Sequence, residues 1–172
     1  MKTLTLLRHA KSSWADPGQD DFDRPLNPRG IAAARRMGGE MRALGLRFDA
    51  VLASPARRAV ETVERAAESH GAFAPRFDRR IYLASTATLM TIVRETDDSI
   101  ERLLLVGHNP GFHMLALLLT AESDDPLRAE LTAKYPTCAL AEINLPSAYW
   151  RELAEDQGKL ARFIRPRDLE SA

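Results

Sequence analysis

Residues 4–14 read LTLLRHAKSSW. Leu and Thr fill four of the first five positions, the apolar and β-branched content of a buried strand. Arg8 and His9 then stand side by side where that strand should end. A strand that enters a core and finishes in two cation-capable side chains needs a use for them.

The rest of the chain repeats the pattern of strand, loop and helix. SSWADPGQDDFDRPLN (12–27) is polar and carries Pro and Gly, so it is a long loop directly after a strand, a place where function concentrates. NPRGIAAARRMGGEMRALG (27–45) predicts a helix with Asn27 as N-cap, Pro28 at the first position and Gly45 near its stop. FDAVLAS (48–54) is a second strand. SPARRAVETVERAAESHG (54–71) is a second helix, capped by Ser54, started by Pro55 and ended by Gly71. TATLMTIVRET (86–96) gives a third helix, RLLLVG (102–107) a third strand and NPGFHMLALLLTA (109–121) a fourth helix. TCALAEINL (137–145) and KLARFIR (159–165) are two strands suited to pair antiparallel at a sheet edge. Alternating strands and helices predict a three-layer α/β/α domain over residues 1–172, with a mostly parallel central sheet and an antiparallel edge.

Composition narrows the class. The chain has 172 residues, 45% apolar and 28% charged, enough for one domain with a sizeable core. Lys plus Arg and Asp plus Glu number 24 each, so no global field favours nucleic acid or an anionic membrane. The one cysteine, Cys138, cannot form an internal disulfide, which suits a reducing compartment. The first apolar run is cut by Arg8, too early for a signal peptide, and MLALLLTA is far short of a membrane span. A cytoplasmic location is the expectation.

In parallel α/β sheets, ligands sit beyond the carboxyl ends of the strands. The three clearest strands end at Arg8-His9, at Ser54 to Arg58 and at Gly107-His108. Taken singly, each residue has a bland explanation: surface or packing histidines, and a solvated arginine. Arg58 opposes the dipole of the helix it opens, an arrangement that makes sense around a bound anion. Two imidazoles with arginines support phosphoryl transfer through a phosphohistidine, because neutral imidazole is a nucleophile at neutral pH and guanidinium groups offset charge on the equatorial oxygens. A metal site is the competing idea; the arginines would repel a divalent cation, and the motifs add no carboxylate or thiolate ligand.

LLRHA, RPLNPRG, SPARRAVET and VGHNP together resemble the signature blocks of the histidine phosphatase superfamily, which has the phosphoglycerate-mutase-like fold. The length and block order resemble its SixA-type branch, the phosphohistidine phosphatases, and YPTCALAEINL resembles that branch's late strand. The resemblance implies His9 as the nucleophile, Arg8 and Arg58 as phosphate ligands and His108 as the second histidine of the pocket. It places Arg24 near the pocket as a substrate-binding residue. Asn109 is a further candidate donor to phosphate, as well as a helix cap. It implies a metal-independent hydrolase without cofactor, acting on phosphohistidine of a partner protein in signal transduction. Two alternatives stay open: a phosphatase of small phosphate esters, and a domain that binds phosphate or phosphoprotein without turnover.

Two departures from the family pattern bear on this. Ala10 follows His9 where the superfamily has Gly, a change expected to be tolerated. Larger members use a carboxylate acid from the segment before the third strand or directly after the second histidine. Here the latter position is Asn109, and RRIYLASTATLM (79–90) has no carboxylate; Asp78 and Glu95 flank it. Asp21, Asp23 and Glu61 are within reach of the site as alternative acids, but the loop and helix surfaces they occupy favour a solvated role over an acid's. Arg57 and His113 are expected on a helix surface and at a core boundary, and His70 at a helix end. Trp14 is read as a loop anchor, with a place over the pocket mouth as the second choice. Tyr149 and Trp150 are expected to cover the sheet edge.

Overall fold

The computed structural model describes residues 1–71 and 73–170. Six strands form one sheet: β1 (Lys2–Arg8), β2 (Ala50–Ala53), β3 (Pro75–Phe77), β4 (Arg102–Gly107), β5 (Leu140–Leu145) and β6 (Lys159–Ile164), in the spatial order β3-β2-β4-β1-β5-β6. β3, β2, β4 and β1 run parallel; β5 is antiparallel to β1 and to β6. The helices are α1 (Pro28–Ala43), α2 (Arg57–His70), α3 (Thr86–Arg94), α4 (Gly111–Leu119), α5 (Pro126–Ala133) and the short α6 (Pro166–Leu169). This is the α/β/α architecture that the alternation of elements predicts.

The strands alternate between two cores. In β4, Leu103 and Leu105 face a core built with α3 and α4, while Leu104 and Val106 face one built with α1 and α2. Both faces are covered, which is why RLLLVG reads as an unbroken apolar run. α1 buries Gly30, Ala34, Met37, Gly38 and Met41, a stripe of helical period. Asn27 accepts from the Gly30 N–H, Pro28 opens the helix, and Gly45 follows it with φ of 70°.

Some local expectations need correction. α2 begins at Arg57, three residues after Ser54, and has no side-chain N-cap. Ser54 is instead fully buried, its Oγ contacting the His108 ring and accepting from the Ala56 N–H. The three-residue β3 and helix α5 were not among the expected elements; β3 is too short to carry a period. Trp150 is fully buried, its Nε1–H donating to the Ile100 carbonyl, and it packs within the core instead of covering an edge; Tyr149 is exposed. No helix among the described residues is long and apolar enough to cross a membrane.

Candidate active site

The carboxyl ends of β1, β2 and β4 are adjacent in the sheet, so the residues that follow them meet. A cavity of about 500 Å³ opens there, lined by Arg8, His9, Arg24, Arg58, His108 and Asn109 among others. The backbone at its base is fixed from both sides. The His9 N–H donates to the Gly107 carbonyl at 2.9 Å, and the Cys138 N–H reaches the Arg8 and His9 carbonyls at 3.1 and 3.0 Å. Ala10 is fully buried with a negative φ, and its N–H donates to Thr62 Oγ1 at 2.9 Å. The site needs a close-packed small residue there and no left-handed backbone, so alanine serves.

His9 is 7% exposed. Its Nδ1 lies 2.7 Å from the Ala10 carbonyl oxygen, which can only accept, so Nδ1 carries the proton and Nε2 keeps its lone pair. Burial, with help from the charges of Arg58, Arg8 and Arg24 against the pull of that carbonyl, lowers its pKa to about 3. His108 faces it at 5.1 Å between ring centroids. Burial, then His9 and Arg58, lowers His108 to about 3 as well. Its Nε2 lies 2.8 Å from Ser54 Oγ, and Nδ1 has no partner among the described residues. Both rings are therefore neutral at pH 7.

Arg58 is buried, 3% exposed, and is held by one residue twice: Nη1 donates to the Asp21 carbonyl at 2.7 Å and Nη2 to its carboxylate at 3.0 Å. The same carboxylate accepts from Arg24 Nε at 3.1 Å and from the Tyr82 hydroxyl at 2.5 Å. Burial pushes the Asp21 pKa up, but the Tyr82 hydrogen bond and the Arg58 charge outweigh it and bring it to about 2. Arg8 Nη1 donates to the Tyr135 carbonyl at 3.0 Å, and burial lowers the arginine's pKa.

The four residues at the strand ends thus converge, and Arg24 joins them through Asp21. Asn109 lines the cavity, but its amide donates to the Tyr135 carbonyl at 2.8 Å and its Oδ1 accepts from the His113 N–H; this pairing secures the neighbouring loop. Trp14 is not a loop anchor: it is 77% exposed, lines the cavity and lies face-on to the Arg24 guanidinium at 3.6 Å. Arg57 is exposed and pairs with Glu61, as a surface residue would. Glu61 also accepts from the Leu26 N–H, which ties the long loop to α2. Asp78 and Glu95 are spent on Arg80. His113 and His70 bond the carbonyls of Leu131 and Leu46 at helix surfaces.

The expectation that Asp21 is merely solvated fails, for it is the hub of the cation cluster. Its spacing of three from Arg24 in DFDR was a local signal that could have found it. Tyr82, edge-on to His108 at 5.5 Å, had no such signal. Among the described residues, no three His, Cys, Asp or Glu side chains converge as a metal-holding group.

The sequence profile of the histidine phosphatase superfamily (branch 1) matches residues 4–81. An uncharacterized protein of Mycobacterium tuberculosis is 36% identical over 164 residues, which cover 94% of this chain and 100% of the relative. A structure from Agrobacterium tumefaciens, described as a candidate phosphohistidine phosphatase SixA, superposes with a TM-score of 0.80 at 28% identity, covering 96% of this chain and 98% of that one. A second candidate SixA, from Nakamurella multipartitia, superposes with a TM-score of 0.84 at 24% identity over 96% of each chain, a likeness of fold.

Proposed function

Since this chain belongs to the histidine phosphatase superfamily, in its SixA-type branch, we propose that it hydrolyses phosphohistidine on a partner protein through a phosphorylated His9. The observation that carries the reading is the tautomer of His9. Nδ1 is committed to the Ala10 carbonyl, so Nε2 presents an unprotonated lone pair in a cavity rich in guanidinium groups.

In the first step His9 Nε2 bonds to phosphorus in line with the departing nitrogen. The P–N bond of the substrate breaks, and the substrate histidine leaves with that electron pair. Its distal nitrogen is protonated beforehand, so it departs as neutral imidazole. Arg8, Arg58 and His108 hold the three equatorial oxygens, on which the transition-state charge is spread. In the second step water attacks phosphorus, the P–Nε2 bond breaks, and inorganic phosphate and free His9 result. No metal is required to activate a nucleophile that is already neutral.

The choice of substrate rests on the acid the site lacks. A positioned general acid is worth about 10²- to 10⁴-fold for a poor leaving group such as an alkoxide. Asp21, which reaches the cavity, has a pKa of about 2 and serves arginines as an anion. A phosphoramidate leaving group needs no such donor. The test is turnover of a phosphohistidine protein against alkyl phosphates, with His9→Ala as control. A preference for phosphohistidine of at least about 10²-fold in kcat/KM, with no phosphoenzyme in His9→Ala, is expected. Alkyl esters turned over equally well would overturn the reading.

A further inference from the structure

The catalytic cavity does not end at its own rim. Lys11 and Thr137 line it on one side and, on their other side, line a second groove of about 200 Å³ between α1 and α6. Arg29 and Arg36 stand at the two ends of the α1 wall, with Ala32 and Ala33 between them as a floor; Pro166 and Glu170 close the opposite wall. These α1 positions are i, i+3, i+4 and i+7, one face of the helix. The two arginines are therefore about 10 Å apart along the axis, the span of about three residues of extended chain.

Cations outnumber carboxylates along this path, with Glu170 the carboxylate of the groove. The catalytic cavity is lined by five cations, Arg8, Lys11, Arg24, Arg58 and Lys134, against the single carboxylate Asp21. Among the described residues, Lys11, Arg29, Arg36 and Lys134 form no ion pair with a carboxylate. Their neighbours do. Arg35 pairs with Glu68 at 2.6 Å, and Arg165 with Asp168 and Glu130. In a chain of zero net charge, these four cations without an ion pair lie along the strip that leads away from the reacting centre.

We infer that this strip is a docking groove for an acidic segment of the phosphorylated protein substrate, running from the phosphohistidine past Lys11 to Arg29 and Arg36. The inference rests on the phosphohistidine reading and adds that residues flanking the target are recognised, and by what charge. A small phosphate ester fills only the catalytic cavity and gains nothing from the groove.

Three probes test it: phosphoimidazole, a phosphohistidine peptide with acidic flanking residues, and the same peptide with neutral ones. The acidic peptide is expected to exceed the neutral one about tenfold in kcat/KM at low ionic strength, through KM, with the advantage fading as salt is raised. In the double variant R29E/R36E the advantage disappears while phosphoimidazole turnover is unchanged. Equal kcat/KM for the two peptides, or an advantage that survives the charge reversal, overturns the groove and leaves the phosphohistidine reading standing. Turnover of none of the three probes overturns both. A single-stranded oligonucleotide that inhibits more strongly than the unphosphorylated acidic peptide assigns the strip to nucleic acid and likewise overturns the inference.

Discussion

The imidazoles of His9 and His108 face each other across 5.1 Å, tilted by 52°, although 99 positions separate them in the chain. Each is neutral because it is buried beside arginines, and each can therefore serve a phosphoryl group without first losing a proton.

That neutrality sets a pH signature. Both histidines titrate near pH 3 in the folded protein, against an ordinary value of 6.5. A histidine whose folded pKa is lowered contributes its full stability above pH 6.5 and loses it as pH falls towards 3, because the unfolded chain takes up the proton first. Imidazole resonances of His9 and His108 should thus stay in the neutral position from pH 8 down to about 4. Thermal stability should fall over the same interval below 6.5. A His9 resonance titrating near 6.5 would contradict the burial argument.

Asp21 holds the Arg58 guanidinium by both carbonyl and carboxylate, and the Arg24 guanidinium by the carboxylate. Asp21→Asn keeps the size and removes the charge that aligns the two guanidinium forks. A fall in kcat/KM of about tenfold is expected, the loss of roughly one charge-assisted hydrogen bond. Melting temperature should move little, because the carboxylate is 41% exposed and its ion pairs are screened. With its pKa at about 2, Asp21 contributes whatever stability it has above 3.8 and loses it only as pH falls through 2, so it adds no limb to the pH–rate profile between 4 and 8.

Ser54→Ala removes the hydroxyl that meets the His108 ring at 2.8 Å and accepts from the Ala56 N–H. Both partners are buried, so unfolding free energy should drop by about 1–3 kcal/mol in urea denaturation. With the ring freed to turn, kcat should fall as well; a variant with wild-type kcat would show that Ser54 has no part in orienting His108.

Two adjacent glycines of α1 behave oppositely. A Cβ on Gly38 would lie 2.1 Å from the Ala66 carbonyl oxygen of α2, whereas one on Gly39 meets nothing closer than Ser69 Cβ at 3.9 Å. Gly38→Ala should destabilise by about 1–3 kcal/mol or more through overpacking. Gly39→Ala should be neutral or stabilising by up to about 1 kcal/mol through helix propensity. Denaturation midpoints of the two variants check the helix contact directly.

Most of the sheet was legible because its strands are covered on both faces or bounded by clear turn residues. Leu103 to Val106 form an apolar run that admits no other reading, and Asn27-Pro28 announces a helix start by local chemistry alone. Ser54 misled for the same reason: a serine before a proline looks like a cap, but the hydroxyl is claimed by a histidine 54 positions away. No local rule weighs such a competitor. β3 escaped because three residues held to β2 by register leave no period to detect.

From sequence alone came most of the elements in their order and, through the rule that ligands gather at strand ends together with the resemblance to the histidine phosphatase blocks, the grouping of Arg8, His9, Arg58 and His108. These depend on hydrogen bonding and hydrophobic period, which act over a few residues. Only the fold decided which nitrogen of His9 is bare, that Asp21 and Tyr82 brace Arg58, and that unpaired cations continue from the cavity onto α1. Those facts depend on distance and desolvation between segments far apart in the chain, and a linear order of residues does not contain them.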